Sequence, residues 1–145
     1  MAGSTMKVLS DRCEPSILVG ETALGINHLM YTSPLYHILT NHPPLDGYVN
    51  NSIRYEYYHF RDDFELKEIA PNVFLPSAER AIVDAIVWLK KNYNEGALIE
   101  ALQSYQQMGK DKSALYGVAD HYEVPYSCID YWWEEVENET DMSMG

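Results

Sequence analysis

Hydrophobic and polar positions change period along the chain. Ile53, Tyr55 and Tyr57 alternate with Arg54, Glu56 and Tyr58, the period of two of a half-buried strand. Asn50-Asn51 before it and Arg61-Asp62-Asp63 after it carry turn chemistry, and Tyr48-Val49 reads as a preceding hairpin arm. Phe64 to Ile69 and Val73 to Leu75 read as two further short strands around Pro71-Asn72, which predicts an antiparallel meander of three or four strands. Upstream, Ile17, Leu18 and Val19 read as a short buried strand. Ala23, Ile26 and Met30 place a short helix within Thr22 to Met30. Pro34, Pro43, Pro44 and Gly47 predict an irregular connection over 31–47.

From Ser77 onward the period becomes helical. Ser77 is the expected N-cap of a helix with Glu79 in its first turn, and Ala81 to Leu89 is apolar except for Asp84, which predicts burial on most sides. Three sets then repeat the i, i+3, i+4, i+7 spacing of an amphipathic helix. They are Leu98, Ala101, Leu102 and Tyr105; Leu115, Val118, Ala119 and Tyr122; and Ile129, Trp132, Trp133 and Val136. Gly109 and Pro125 separate them, and Ser127-x-x-Asp130 matches a capping box. A small antiparallel β-meander followed by a four-helix C-terminal region is an α+β fold in one domain. The expected boundaries are a disordered N-terminus over 1–15, a single domain over 16–138 and a disordered acidic tail over 139–145. Residues 1–5 read as an expression scar before Met6.

Composition adds a charge asymmetry. The chain has 145 residues and a net charge of −12, and it is long enough to bury about two thirds of its unfolded surface. The first 112 residues carry 10 basic and 14 acidic groups, and the last 33 carry no basic and eight acidic groups. Such a balance disfavours nucleic acid, whose phosphates call for Lys and Arg, and favours a basic protein surface. A stretch of about 20 apolar residues able to span a membrane is missing. Two cysteines, Cys13 and Cys128, make neither a disulfide framework nor a Cys-based zinc site, which agrees with a cytoplasmic setting.

The candidate chemistry is sparse. Arg80 and Asp84 lie four apart on an otherwise apolar helix, so they are expected to pair as a structural clamp between helix and sheet. His28, His37, His42, His59 and His121 show no metal-ligand spacing, and no catalytic residue, cofactor or metal is expected. The sequons at Asn50 and Asn138 read as chance matches outside a secretory compartment. Val19-Gly20-Glu21-Thr22-Ala23-Leu24 resembles the Gly-Gly-Thr-Ala-Leu entrance of minimal nucleotidyltransferases, with Glu21 in place of the second glycine. Those enzymes hold Mg²⁺ with paired acids on the next strand, and between Met30 and Gly47 the one acid is Asp46. Six of the 18 aromatics, Tyr116, Tyr122, Tyr126, Tyr131, Trp132 and Trp133, share the last 33 residues with those eight acids. With Tyr122 and Trp132 turned to the core, Tyr126 and Tyr131 are expected to face outward and offer contact area.

The segment Leu75-Pro76-Ser77-Ala78-Glu79-Arg80-Ala81-Ile82-Val83-Asp84 resembles the S-x-E-R-x-hydrophobic-hydrophobic-D helix start of the AbiE-type abortive-infection antitoxins. Glu95 to Tyr105 and Lys112 to Tyr122 are similar to the two helices that follow in that family. Ser16 to Leu29 is similar to an early helix, with Gly20-Glu21-Thr22 departing from the pattern. The resemblance spans roughly residues 16–137. It implies a non-enzymatic type IV antitoxin that antagonises a nucleotidyltransferase toxin. Family members usually also carry an N-terminal winged helix-turn-helix that represses their operon. Too few residues precede Glu14 for that domain, so the match is to the antagonist domain alone and direct DNA binding is not expected.

Three functions follow as expectations. The first is an antitoxin-like antagonist whose acidic, aromatic C-terminal surface, with Tyr126, Tyr131, Glu134, Glu135 and Glu137 as partner-binding residues, covers a basic cleft of a toxin or defence nuclease. The second is a phage-encoded inhibitor of a bacterial defence system, of the anti-CRISPR or anti-restriction kind, using the same acidic mimicry. The third is a nucleotidyltransferase-like enzyme, for which Asp62 and Asp63 are the acids to substitute.

Overall fold

A computed structural model describes residues 9–11, 13, 15–30, 36–40, 42, 53–57, 64–92 and 95–144, with the backbone alone described at 54–57, 88–92 and 139–144. The elements in chain order are β1 (Ser16–Leu18), α1 (Gly20–Ile26), β2 (Tyr36–Thr40), β3 (Ile53–Tyr57), β4 (Leu66–Ala70), β5 (Val73–Pro76), α2 (Ala78–Asn92), α3 (Glu95–Gln107), α4 (Ser113–Tyr122) and α5 (Tyr126–Met144). The fold is mixed α and β.

The sheet departs from the expected antiparallel meander. Its strand order is β3-β2-β1-β5-β4, with β1 at the centre. β1 pairs antiparallel with β2 (Ile17 opposite Leu39) and parallel with β5 (Ile17 opposite Phe74). β2 and β3 are parallel, with Ile38 opposite Tyr55. Only β4 and β5 form the expected hairpin, closed by Pro71-Asn72 with Asn72 at φ 59°. β3 therefore lies at the edge opposite β4 although the two follow one another in sequence. The strand that decides this arrangement, β2, falls within the stretch expected to be irregular. All five of its side chains are buried, so it shows no alternation, and the prolines around it read as loop.

Alternation along β1 and β2 supplies both faces of the sheet. Leu18, Tyr36 and Ile38 pack with Leu9, Cys13, Ile53 and Val73 on one face, and Ile17, Val19 and Leu39 pack on the other. Leu9 and Cys13 are fully buried. The Cys13 carbonyl accepts hydrogen bonds from the Ser16 and Thr40 hydroxyls, at 2.8 and 2.5 Å, which ties this segment to β1 and β2.

The helices form the largest apolar cluster, running from Ala23 and Leu24 of α1 through Ile82, Leu102, Tyr105, Leu115 and Val118 to Ile129 and Val136. Ser77 caps α2 as expected, its Oγ accepting from the Arg80 N–H at 3.1 Å. Val87 is 50% exposed and marks an open side of this otherwise mostly buried helix. α5 runs to Met144. Among the described residues no helix is long and apolar enough to cross a membrane.

Candidate partner-docking site

The last two helices meet at a tight corner. α4 buries Leu115, Val118 and Ala119 and ends at Glu123, which adopts the left-handed conformation at φ 58°. The Val124 N–H then reaches back to the Ala119 carbonyl at 2.8 Å, the bond that closes a Schellman-type helix end. Pro125 follows and α5 starts at Tyr126. The capping box expected from Ser127 and Asp130 does not form. The helix starts before Ser127, and Asp130 turns to α4 instead, where it accepts from the Tyr116 hydroxyl and pairs with Lys112 Nζ at 3.1 Å. These two donors hold the Asp130 carboxyl below the usual carboxylate range. The Tyr116 and Tyr126 rings stack with centroids 4.1 Å apart, and the Tyr126 hydroxyl donates to Asp120 at 2.6 Å.

α5 is anchored along one face. Ile129, Trp133 and Val136 are buried, Trp133 meets Tyr105 edge-to-face at 6.2 Å, and Gln106 Nε2 donates to the Trp133 carbonyl at 3.3 Å. Trp132 is half-buried against the same cluster, with the Tyr131 ring edge-on to it at 5.3 Å. The opposite face is polar and open. Tyr131 is 58% exposed and Tyr126 42%, and Glu134, Glu135 and Glu137 are all exposed. Spacings of three and four place Tyr131, Glu134 and Glu135 side by side, with Asp130, Glu134 and Glu137 along one flank. No cation among the described residues pairs with Glu134, Glu135 or Glu137.

This arrangement works against the stability of the helix. Like charges at i, i+3 and i, i+4 cost about 0.2–0.5 kcal/mol per pair. A rigid, aromatic, anionic face held on a well-anchored helix is suited to contact a cationic surface.

The other candidates lie elsewhere. Arg80, 4% exposed, places Nε 3.4 Å from Asp84 Oδ2, and its Nη1 donates to the Phe64 carbonyl at 2.5 Å. Its Cζ also lies 5.6 Å from the centre of the Tyr122 ring. The expected clamp thus joins α2 to the turn before β4, and it reaches α4 as well, which spacing within α2 could not foretell. At the start of α1, Gly20 has φ 57° and Thr22 Oγ1 accepts the His37 N–H of β2 at 2.8 Å. β2 carries no carboxylate, and Asp46, Asp62 and Asp63 lie outside the described residues. His37 is buried, and the exposed His121 ring stacks on Phe64 at 3.7 Å. Among the described residues no group of three or more His, Cys, Asp or Glu side chains is placed to hold a metal ion. The Tyr116–Tyr126 stack and the Lys112–Asp130 pair were missed by sequence reasoning, since they join residues 10 and 18 positions apart across a helix corner. The paired amphipathic periods around Pro125 were the signal available for them.

No protein-family model matches the chain, and no curated protein matches it.

Proposed function

We propose that this protein is a non-enzymatic binding protein, an antitoxin-like antagonist that docks on a basic surface of a nucleic-acid-processing partner, of the nucleotidyltransferase type, through the outward face of α5. The observation that carries this reading is the continuous face of Tyr131, Glu134, Glu135 and Glu137, unpaired by any cation among the described residues and held by the buried Ile129, Trp133 and Val136. Complementary charge speeds encounter and sets register, and exposed tyrosines add contact area at little cost in side-chain entropy. The competing enzyme reading gains little from β2, which carries no carboxylate at the position where such enzymes hold their metal.

The test is co-expression with an abortive-infection nucleotidyltransferase toxin, scored by cell survival and by the salt dependence of complex formation. Glu134→Lys, Glu135→Lys and Glu137→Lys together should abolish protection and flatten the salt dependence, because exposed charge pairs are screened within about 8–10 Å at physiological salt. Full protection by the triple variant would remove α5 as the interface. Incorporation of labelled nucleotide by the protein alone would favour the enzyme.

A further inference from the structure

The α4–α5 corner contains one motif twice, and only one copy is neutralised. In the first, the Tyr116 hydroxyl donates to Asp130, and Lys112 Nζ lies 3.1 Å from that carboxylate and 6.0 Å from the Tyr116 ring centre. In the second, the Tyr126 hydroxyl donates to Asp120 at 2.6 Å. The two rings stack on each other at 16°, so each tyrosine has one ring face against its neighbour. Asp120 is exposed, Tyr126 is 42% exposed, and Asp120 pairs with no cation among the described residues. The first copy shows what the motif accepts: a side-chain cation held by carboxylate and ring together.

We propose that Tyr126 and Asp120 form a seat for an arginine side chain of a basic protein partner, matching the seat that Tyr116 and Asp130 provide for Lys112. A guanidinium is planar, so it can lie over the outer face of Tyr126 while its fork of N–H donors reaches Asp120. A lysine brings a point charge instead, so its ring contact is the longer one, as with Lys112 at 3.1 Å from Asp130 and 6.0 Å from the Tyr116 ring centre. The carboxylate also accepts from the tyrosine hydroxyl, which keeps both groups in place before the partner arrives. The proposal rests on the reading of this region as a docking surface for a basic partner, and it adds the residue type that is recognised and the place where it is read.

A blocked tetra-arginine peptide, titrated into the full chain and followed by NMR, tests the seat without the partner. The expected result is saturable shifts centred on Asp120, Tyr126 and Tyr116. Asp120→Asn and Tyr126→Leu should each weaken binding about three- to fivefold. Tetra-lysine should bind more weakly, and Tyr126→Leu should erase the difference between the two peptides. Asp120 is exposed, so its substitution leaves the fold intact should Tyr126→Leu disturb the corner. Equal binding of both peptides, unchanged in Asp120→Asn and centred on Glu134 to Glu137, would overturn the seat. The Glu134, Glu135 and Glu137 lysine triple variant keeps the two proposals apart. Retained, Asp120-dependent arginine binding in that variant supports the seat even where protection against a toxin does not depend on α5.

Discussion

Arg80 is the one buried cation among the described residues, and its surroundings explain why it is tolerated. A guanidinium taken out of water needs its donors satisfied, and here a carboxylate, a backbone carbonyl and a tyrosine ring share them. Removing it takes the guanidinium away from the Asp84 carboxylate and leaves the Phe64 carbonyl without this donor. Arg80→Ala is expected to destabilise by about 3 kcal/mol, the low end for a broken buried pair because Asp84 keeps some contact with solvent. Thermal unfolding should then move down by about 6–12 °C. A melting temperature within about 2 °C of the parent would show that the clamp carries no weight. The spacing of Arg80 and Asp84 announced the pair. Its second and third partners, Phe64 and Tyr122, come from turns of chain that only folding brings together.

The helices were legible because each carries its own periodic stripe, and the stripe is a local property. α3, α4 and α5 bury the sets Leu98 to Tyr105, Leu115 to Ala119, and Ile129 to Val136. β2 was illegible for the opposite reason, since a strand buried on both faces has no polar side to mark its period. Asp130 shows how a local motif loses to a tertiary partner. As a capping residue its carboxylate would have accepted one backbone N–H, whereas here it takes the Lys112 cation and the Tyr116 hydroxyl together. Those bonds depress its folded pKa, so its contribution to joining α4 and α5 is complete above the unfolded value of about 3.9. The contribution is lost as pH falls through the lower folded value. Denaturant unfolding should therefore find Asp130→Asn less stable than the parent at pH 7, with the difference shrinking as pH falls below about 3.9. A difference that persists undiminished in acid would mean that the ionised carboxylate is not what joins the helices.

Across the whole molecule, Leu9 and Cys13 lie in the core, held by hydroxyl bonds to the Cys13 carbonyl, and α5 runs to Met144. Burial pushes the Cys13 thiol up to about 11, whereas Cys128 stands exposed in the first turn of α5. A thiol reagent at pH 8 should therefore modify Cys128 rapidly in the native protein and reach Cys13 only on unfolding. Two fast thiols in the native state would show that the segment around Cys13 is not packed as described. Composition and period were enough for a mixed α and β domain, its C-terminal helices, the Arg80–Asp84 pair and the acidic, aromatic character of the last quarter. Each of these depends on neighbours within a few positions. Tertiary structure alone decided the strand order, the reach of Arg80, and the stacking of Tyr116 on Tyr126. Those contacts join residues far apart in the chain, where the pairing energy depends on which surfaces folding brings face to face.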